Sequence, residues 1–167
     1  APSSGGALTI TGTGGNAGGP GANNMGIFIT TPGSFVGSGG TMTISGTGGA
    51  SGGDSNYGVY VAAGAVMSNS GSGTLSVTGT GAGITNSGND YGLYVLTGGI
   101  ISTVNGNLTV TGTGGGAGSG ANNYGVYVTS TNSTIKTTGS GNLSVTGIRG
   151  GGNTSSNYGT NIAVANG

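Results

Sequence analysis

This sequence has almost no charged side chains. Its 167 residues include two acidic residues, Asp54 and Asp90, and two basic residues, Lys136 and Arg149, which gives a formal net charge of zero. Glutamate, histidine and cysteine are absent. General acid–base catalysis, nucleophilic catalysis and metal binding all depend on these side chains. The composition therefore argues against an enzyme, and it predicts no catalytic residue, no metal site and no other cofactor.

The sequence also argues against a nucleic-acid partner and against insertion into a membrane. Two basic residues cannot neutralise a nucleic-acid backbone, so no nucleic-acid partner is expected. No stretch approaches the roughly 20 consecutive apolar residues of a membrane-spanning helix, so no membrane insertion is expected. Near-zero charge and abundant Gly, Thr, Ser and Asn fit the exterior of a prokaryotic cell better than a cytosol.

What the sequence does have is a repeated phrase, in which a large apolar residue is followed by alternating polar and apolar residues and then by Gly. Its five copies are residues 7–12, 41–46, 74–79, 107–112 and 142–147. The first large apolar residue recurs as Leu8, Met42, Leu75, Leu108 and Leu143, at spacings of 34, 33, 33 and 35. A fixed period of this length is typical of repeat architectures.

Two further phrases follow each copy in register. The second phrase, typified by Asn-Tyr-Gly-Val-Tyr-Val, covers residues 24–29, 56–61, 90–95, 123–128 and 157–162. The third is a looser apolar run near residues 35–36, 65–67, 100–101 and 134–135. The segments are short, rich in Val, Ile, Thr and Tyr, and bounded by Gly, Asn and Ser, so each repeat is predicted to contain three β-strands.

The alternation has a period of two, which places Leu108 and Val110 on one face of a strand and Thr109 and Thr111 on the other. A single repeat cannot cover its own apolar face, but strands stacked on their equivalents in the next repeat enclose a continuous interior. The prediction is an all-β parallel β-helix with about five coils, rising about 4.8 Å per coil and about 24 Å in total. We expect one domain over residues 1–167. Its repeats begin near Gly6, Gly40, Gly73, Gly106 and Gly141.

Stacking also accounts for a polar position that recurs in every copy of the second phrase. This position is occupied by Asn24, Asn56, Asp90, Asn123 and Asn157. Stacked Asn side chains can form a hydrogen-bonded ladder along a cross-rung assembly. Asp90 is then a rung that accepts from its Asn neighbours rather than a catalytic carboxylate. A Gly follows the next residue in every copy, which predicts a bend or a close backbone approach.

Two outward-facing ranks are candidate binding surfaces. The first is an aromatic ladder of Phe28, Tyr60, Tyr94 and Tyr127, which could bind sugars or pack laterally against another fibre, or could simply consist of good strand residues. The second is a set of hydroxyl side chains, Thr9, Thr11, Thr43, Ser45, Ser76, Thr78, Thr109, Thr111, Ser144 and Thr146. These ranks resemble the Thr-x-Thr arrays of β-helical ice-binding proteins, although Thr is also an ordinary strand residue.

Residues 106–112 and 141–147, with Asn-Tyr-Gly-Val-Tyr-Val at 123–128, resemble the β-strand repeats of large secreted surface proteins. The families in question are filamentous-haemagglutinin-like adhesins and autotransporter passenger domains, and the likeness covers nearly the whole chain. It implies a parallel β-helix at the surface of a prokaryotic cell, with adhesion as its role. It implies no particular ligand.

The ends of the sequence predict head-to-tail stacking. Joining one copy's end to the start of another places Ile162 and the next Leu8 13 residues apart, and the corresponding separations within the chain are 13, 14, 13 and 15. The residues expected at this contact are Ala1, Pro2, Ser3, Ser4, Ile162, Val164, Asn166 and Gly167.

The sequence therefore predicts a structural β-solenoid that stacks on itself, or on neighbouring repeats of a longer chain, to form a surface fibre for adhesion or matrix. The alternatives are a glycan- or receptor-binding adhesin module and an ice-binding protein.

Overall fold

A computed structural model describes residues 5–15, 17–31 and 33–164 of the chain. These ranges contain fourteen β-strands and no helix. The strands form three sheets. Sheet A consists of β1 (Leu8–Thr13), β4 (Met42–Thr47), β7 (Leu75–Thr80), β10 (Leu108–Thr113) and β13 (Leu143–Ile148). Sheet B consists of β2 (Ile27–Ile29), β5 (Val59–Val61), β8 (Leu93–Val95), β11 (Val126–Thr129) and β14 (Thr160–Ala163). Sheet C consists of β3 (Ser34–Gly37), β6 (Val66–Asn69), β9 (Ile100–Thr103) and β12 (Thr134–Thr137).

Every strand pairs in parallel with its equivalent one repeat away. In sheet A, Leu108 lies opposite Leu75 on one side and Leu143 on the other, and the remaining positions follow without a slip. Sheets B and C keep the same repeat-to-repeat register, as in the pairs Tyr60–Tyr94 and Met67–Ile101. The predicted parallel β-helix of five coils is therefore confirmed.

The core lies inside the three sheets. Leu75, Leu93, Ile101, Leu108 and Val110 have at most 1% of their surface exposed. They come from all three sheets and form one apolar cluster that runs through the stack. The period-two alternation predicted this inward face, because each inward residue of a strand is separated from the next by one outward residue.

Glycine allows two strands of one coil to meet at a corner. A Cβ at Gly112 would overlap the carbonyl oxygen of Gly125, and a Cβ at Gly125 would overlap the backbone nitrogen of Ile148. The predicted close approach is thus confirmed, and it explains why both positions exclude a side chain. The strand of the second phrase is shorter than the phrase itself: β5 begins at Val59, since Asn56 to Gly58 turn the corner before it.

Within the described ranges, no helical segment has the length and hydropathy needed to cross a membrane.

Candidate functional surfaces

Two kinds of hydrogen bond hold the polar column, which consists of Asn24, Asn56, Asp90, Asn123 and Asn157. Side-chain amides connect the first three rungs: Asn24 Nδ2 donates to Asn56 Oδ1 at 2.8 Å, and Asn56 Nδ2 donates to Asp90 Oδ1 at 2.9 Å. Backbone N–H groups also donate to the next side chain, from Asp90 to Asn123 Oδ1 at 2.9 Å and from Asn123 to Asn157 Oδ1 at 2.7 Å. The column therefore satisfies buried backbone donors at the corner.

The expected side-chain ladder is interrupted after Asp90. The Asp90 carboxyl contacts Ser87 Oγ, whereas Asn123 Nδ2 donates to the carbonyl oxygen of Ser87 at 3.3 Å. A carboxyl group lacks the amide N–H groups with which Asn24 and Asn56 reach the next rung. Burial raises the pKa of the Asp90 carboxyl above its ordinary value, although its hydrogen bonds with Ser87 and Asn56 act in the opposite direction.

The aromatic side chains form two columns rather than one. The outer column is the predicted ladder of Phe28, Tyr60, Tyr94 and Tyr127, whose members lie on the outward face of sheet B. Phe28 is exposed and the three tyrosines are half-buried. The inner column consists of Tyr57, Tyr91, Tyr124 and Tyr158 at the corner before each strand. Tyr57, Tyr91 and Tyr124 form an apolar cluster that is separate from the core. Met25 and the three outer-column tyrosines pack against it.

Ring stacking covers most of the aromatic surface. In the inner column, Tyr91 stacks on Tyr57 and on Tyr124 with ring centroids 5.2 Å apart in both cases. The outer ring of Tyr94 meets Tyr91 edge-on at 4.8 Å and stacks on Tyr127 at 5.1 Å. Offset stacking and edge-to-face contacts are the favoured geometries of aromatic pairs. Ring faces that a sugar could approach are therefore mainly those at the ends of the columns.

Burial makes the hydroxyl groups of this aromatic cluster harder to ionise. It raises the pKa of Tyr91 far above its ordinary value and the pKa of Tyr94 to about 12, with neighbouring tyrosines contributing in the same direction. The Tyr91 hydroxyl donates to Asn89 Oδ1 at 3.1 Å, and the Tyr124 hydroxyl donates to Asn122 Oδ1 at 3.0 Å.

The sequence interpretation did not single out the residues two positions before the four inner tyrosines and before Met25, which holds the same position in the first coil. They are Asn23, Ser55, Asn89, Asn122 and Ser156, and all have a positive φ between 56° and 69°. Asn is one of the few residues that adopt this backbone conformation readily. The available signal was the recurrence of Asn or Ser directly before the polar column.

The hydroxyl ranks lie on the outward face of sheet A, in register from coil to coil. The central pair Thr109 and Thr111 shows the pattern, with Thr109 exposed and Thr111 half-buried. A third column, which the sequence interpretation missed, continues the two predicted columns. It consists of Thr13, Thr47, Thr80 and Thr113, with Ile148 in the last coil. It could have been found from the Thr that follows the Gly in four of the five phrases.

The two end coils expose core positions. At the last coil, Leu143 is 44% and Ile162 67% exposed, whereas the equivalent Leu108 is fully buried and Val128 nearly so. Leu143, Val145, Ile162 and Val164 line an apolar cavity of about 450 Å³, which also reaches Ile135 of β12. At the first coil, Leu8 is 40% exposed. Within the described ranges, the last coil thus has an open apolar cross-section, whereas at the first coil Leu8 is exposed but Ile27 and Ile29 are buried.

Of the predicted end-to-end contact, Ile162 and Val164 are therefore at the open end. Ala1, Pro2, Ser3, Ser4, Asn166 and Gly167 lie outside the described residues.

Comparison of the chain with protein-family models, with curated proteins and with solved structures gave no match. The class of protein is thus given by the fold alone: it is a β-solenoid repeat protein.

Proposed function

We propose that this chain is a structural, non-enzymatic part of an extracellular fibre in which solenoid coils stack end to end. The proposed setting is a prokaryotic cell surface, where the fibre serves adhesion or matrix. The observation that carries the proposal is the match between the two end faces of the solenoid, which present equivalent positions of the same repeat.

The match can be followed residue by residue in sheet A. Inside the solenoid, Leu108 lies opposite Leu143 and Val110 lies opposite Val145. A second copy stacked on the last coil in the same register would place its Leu8 over Leu143 and its Ile10 over Val145. These are the same kinds of pair that fill the interior, where apolar side chains of equivalent strands lie directly above one another.

Sheet B provides a second line of contact. In the same register, Ile29 of the added copy would lie over Ile162, as Val128 does within the chain. Ile29 is already 4% exposed in the single chain, so the surface newly covered here would be mainly that of Ile162. The contact would cover Ile162 and the apolar cavity beside it. Edge strands with unpaired N–H and C=O groups are templates for further pairing, and a net charge of zero provides little repulsion between copies.

A pair of substitutions in β13 tests the proposal. Val145 points into the open end and Thr146 points outward from the same strand, so Val145→Lys places a charge in the contact and Thr146→Lys places the same charge beside it. We expect the unaltered chain and Thr146→Lys to form concentration-dependent polymers in sedimentation velocity. Val145→Lys should stay monomeric with an unchanged circular dichroism spectrum. Monomers of all three proteins at high concentration would contradict the proposal, as would undiminished assembly of Val145→Lys.

A second candidate function, ice binding, is favoured by the third hydroxyl column. Three columns give a broad uncharged array that repeats about every 4.8 Å across the strands and about 6.7 Å along them, regular enough to order water. An ice-recrystallisation assay tests it. Activity should be lost in Thr109→Tyr and kept when Tyr60, Tyr94 and Tyr127 are replaced by Thr. An inactive unaltered chain would reject this candidate.

Glycan binding is a weaker alternative. Most ring faces are covered by neighbouring rings, and the exposed Phe28 and Tyr158 at opposite ends of the columns are the best remaining platforms.

A further inference from the structure

Asp90 is a fully buried carboxyl group, and among residues 5–15, 17–31 and 33–164 no cationic side chain lies beside it. The titratable groups that face it are Asp54, an exposed carboxyl in the preceding coil, and Tyr57, whose hydroxyl is hydrogen-bonded to Ser55. The two basic residues of the chain are elsewhere: Lys136 is in β12 of sheet C, and Arg149 follows β13. An ionised Asp90 would therefore be stabilised by neutral donors alone, which rarely offset the loss of hydration.

The two oxygens of Asp90 have different surroundings. Oδ1 accepts two hydrogen bonds from Asn56, from its backbone N–H at 2.8 Å and from Nδ2 at 2.9 Å. Oδ2 contacts Ser87 Oγ, which also lies 2.7 Å from the carbonyl oxygen of Gly53. A serine hydroxyl has one hydrogen and cannot donate to both oxygens at once. If Asp90 is ionised, Ser87 must turn its hydrogen away from Gly53. If Asp90 is protonated on Oδ2, all three groups form one continuous chain of donors and acceptors.

In other coils, the side-chain atom equivalent to Asp90 Oδ2 is a hydrogen-bond donor. Asn24, Asn56 and Asn157 use Nδ2 to donate to the backbone carbonyl oxygen three residues earlier, at 2.9, 2.5 and 3.0 Å respectively. In Asp90 the atom corresponding to Nδ2 is Oδ2, which can donate only when it carries a proton.

We infer that Asp90 is a neutral carboxylic acid in the folded chain, with a proton on Oδ2 that is donated to Ser87 Oγ, and that it makes the third coil sensitive to pH. The unfolded chain exposes this carboxyl and releases its proton at the ordinary pKa of Asp, about 4. The folded chain retains the proton to a higher pH. The stability that Asp90 contributes is therefore complete below the ordinary pKa and is lost as the pH rises through the folded pKa.

The composition of the chain allows a direct measurement. Infrared spectroscopy separates the carbonyl stretch of a protonated carboxyl from the bands of carboxylate, and Asp54 and Asp90 are the only acidic side chains. As the pH of the folded, unaltered chain is raised in steps, we expect a protonated-carboxyl band to persist above the ordinary pKa of Asp. It should persist in Asp54→Asn and disappear in Asp90→Asn. Loss of the band at the ordinary pKa, or a band that remains in Asp90→Asn, would overturn the inference.

A second measurement tests the pH sensitivity. Between the ordinary and the folded pKa of Asp90, the unfolding equilibrium constant of the unaltered chain should rise up to tenfold for each pH unit. Asp90→Asn introduces the residue that the other four coils carry, and it should remove this rise without loss of the β-sheet spectrum. Asp54→Asn serves as the control and should keep it. Equal pH profiles for the unaltered chain and folded Asp90→Asn would overturn the inference. If Asp90→Asn failed to fold, the infrared titration of the unaltered chain and Asp54→Asn would still decide the protonation state.

Discussion

Leu108 and Leu143 occupy the same repeat position in neighbouring strands, and they form a matched pair for measuring what an additional coil contributes. Leu108 is fully buried, whereas Leu143 is 44% exposed at the open end. Leu108→Ala should lower the free energy of unfolding by about 2–5 kcal/mol, because it removes buried methyl groups and leaves a cavity. The space left by Leu143→Ala is open to solvent, so this substitution should lower the free energy of unfolding by only about 1 kcal/mol.

The assay is urea unfolding followed by circular dichroism at a protein concentration low enough to keep copies apart. Assembly should remove the difference between the two sites, since a stacked copy covers Leu143 as Leu143 covers Leu108. The dissociation constant for assembly of Leu143→Ala should then be raised roughly fivefold or more, because the cost in the assembly exceeds that in the separate molecule by about 1–4 kcal/mol and each 1.4 kcal/mol is a factor of ten. Equal costs in the separated molecules would refute the assignment of the open end. An unchanged dissociation constant would refute the stacking register.

Three further predictions concern the faces of the sheets. Val110→Asp buries an unpaired carboxylate and should abolish folding, whereas Thr111→Asp on the outward face should lower stability only slightly. Circular dichroism of both variants tests this, and equal tolerance of the two substitutions would show that the inward and outward faces are wrongly assigned. Gly112→Ala should lower the free energy of unfolding by about 1–3 kcal/mol, because the new Cβ would overlap the neighbouring backbone. In the control Gly15→Ala, the Cβ would meet nothing within 4 Å, so thermal unfolding should be nearly unchanged. Replacing the three outer-column tyrosines by Thr should lower the free energy of unfolding by about 0.5–1.5 kcal/mol for each lost aromatic contact, yet leave the β-sheet circular dichroism spectrum intact. Loss of that spectrum would show that these rings support the core.

The fold was predictable because the repeat and the period-two alternation carry independent information. The repeat gave the pairing partners, so that Leu108 could be placed between Leu75 and Leu143 before any coordinates were known. The alternation then gave the inward face, including Val110. Both signals depend only on sequence spacing, and each is present five times.

The aromatic cluster was only partly predictable. Alternation placed Tyr94 on the outward face, but it gives no information about Tyr91, which precedes the strand at a corner. Tyr91 is buried at this corner, and Asn89, two residues before it, has a positive φ. Such corner geometry depends on individual backbone angles rather than on periodicity.

The Asp90 column illustrates a different limit. Equivalent positions predicted that Asp90 would lie among the Asn residues, and Asn56 does donate to it. Sequence spacing could not place Ser87 against the carboxyl, because the loops between the first and second phrases differ in length and composition from coil to coil. The interruption of the ladder is therefore a result of the structure alone.

Electron microscopy of the purified chain, combined with diffraction from aligned material, tests the central proposal most directly. In a preparation that contains only this chain, another copy is the only partner available to either end face. We expect unbranched filaments that lengthen with protein concentration and give a reflection near 4.8 Å along the fibre axis, since the strands run across it. Isolated particles about 24 Å long at every concentration would contradict end-to-end stacking.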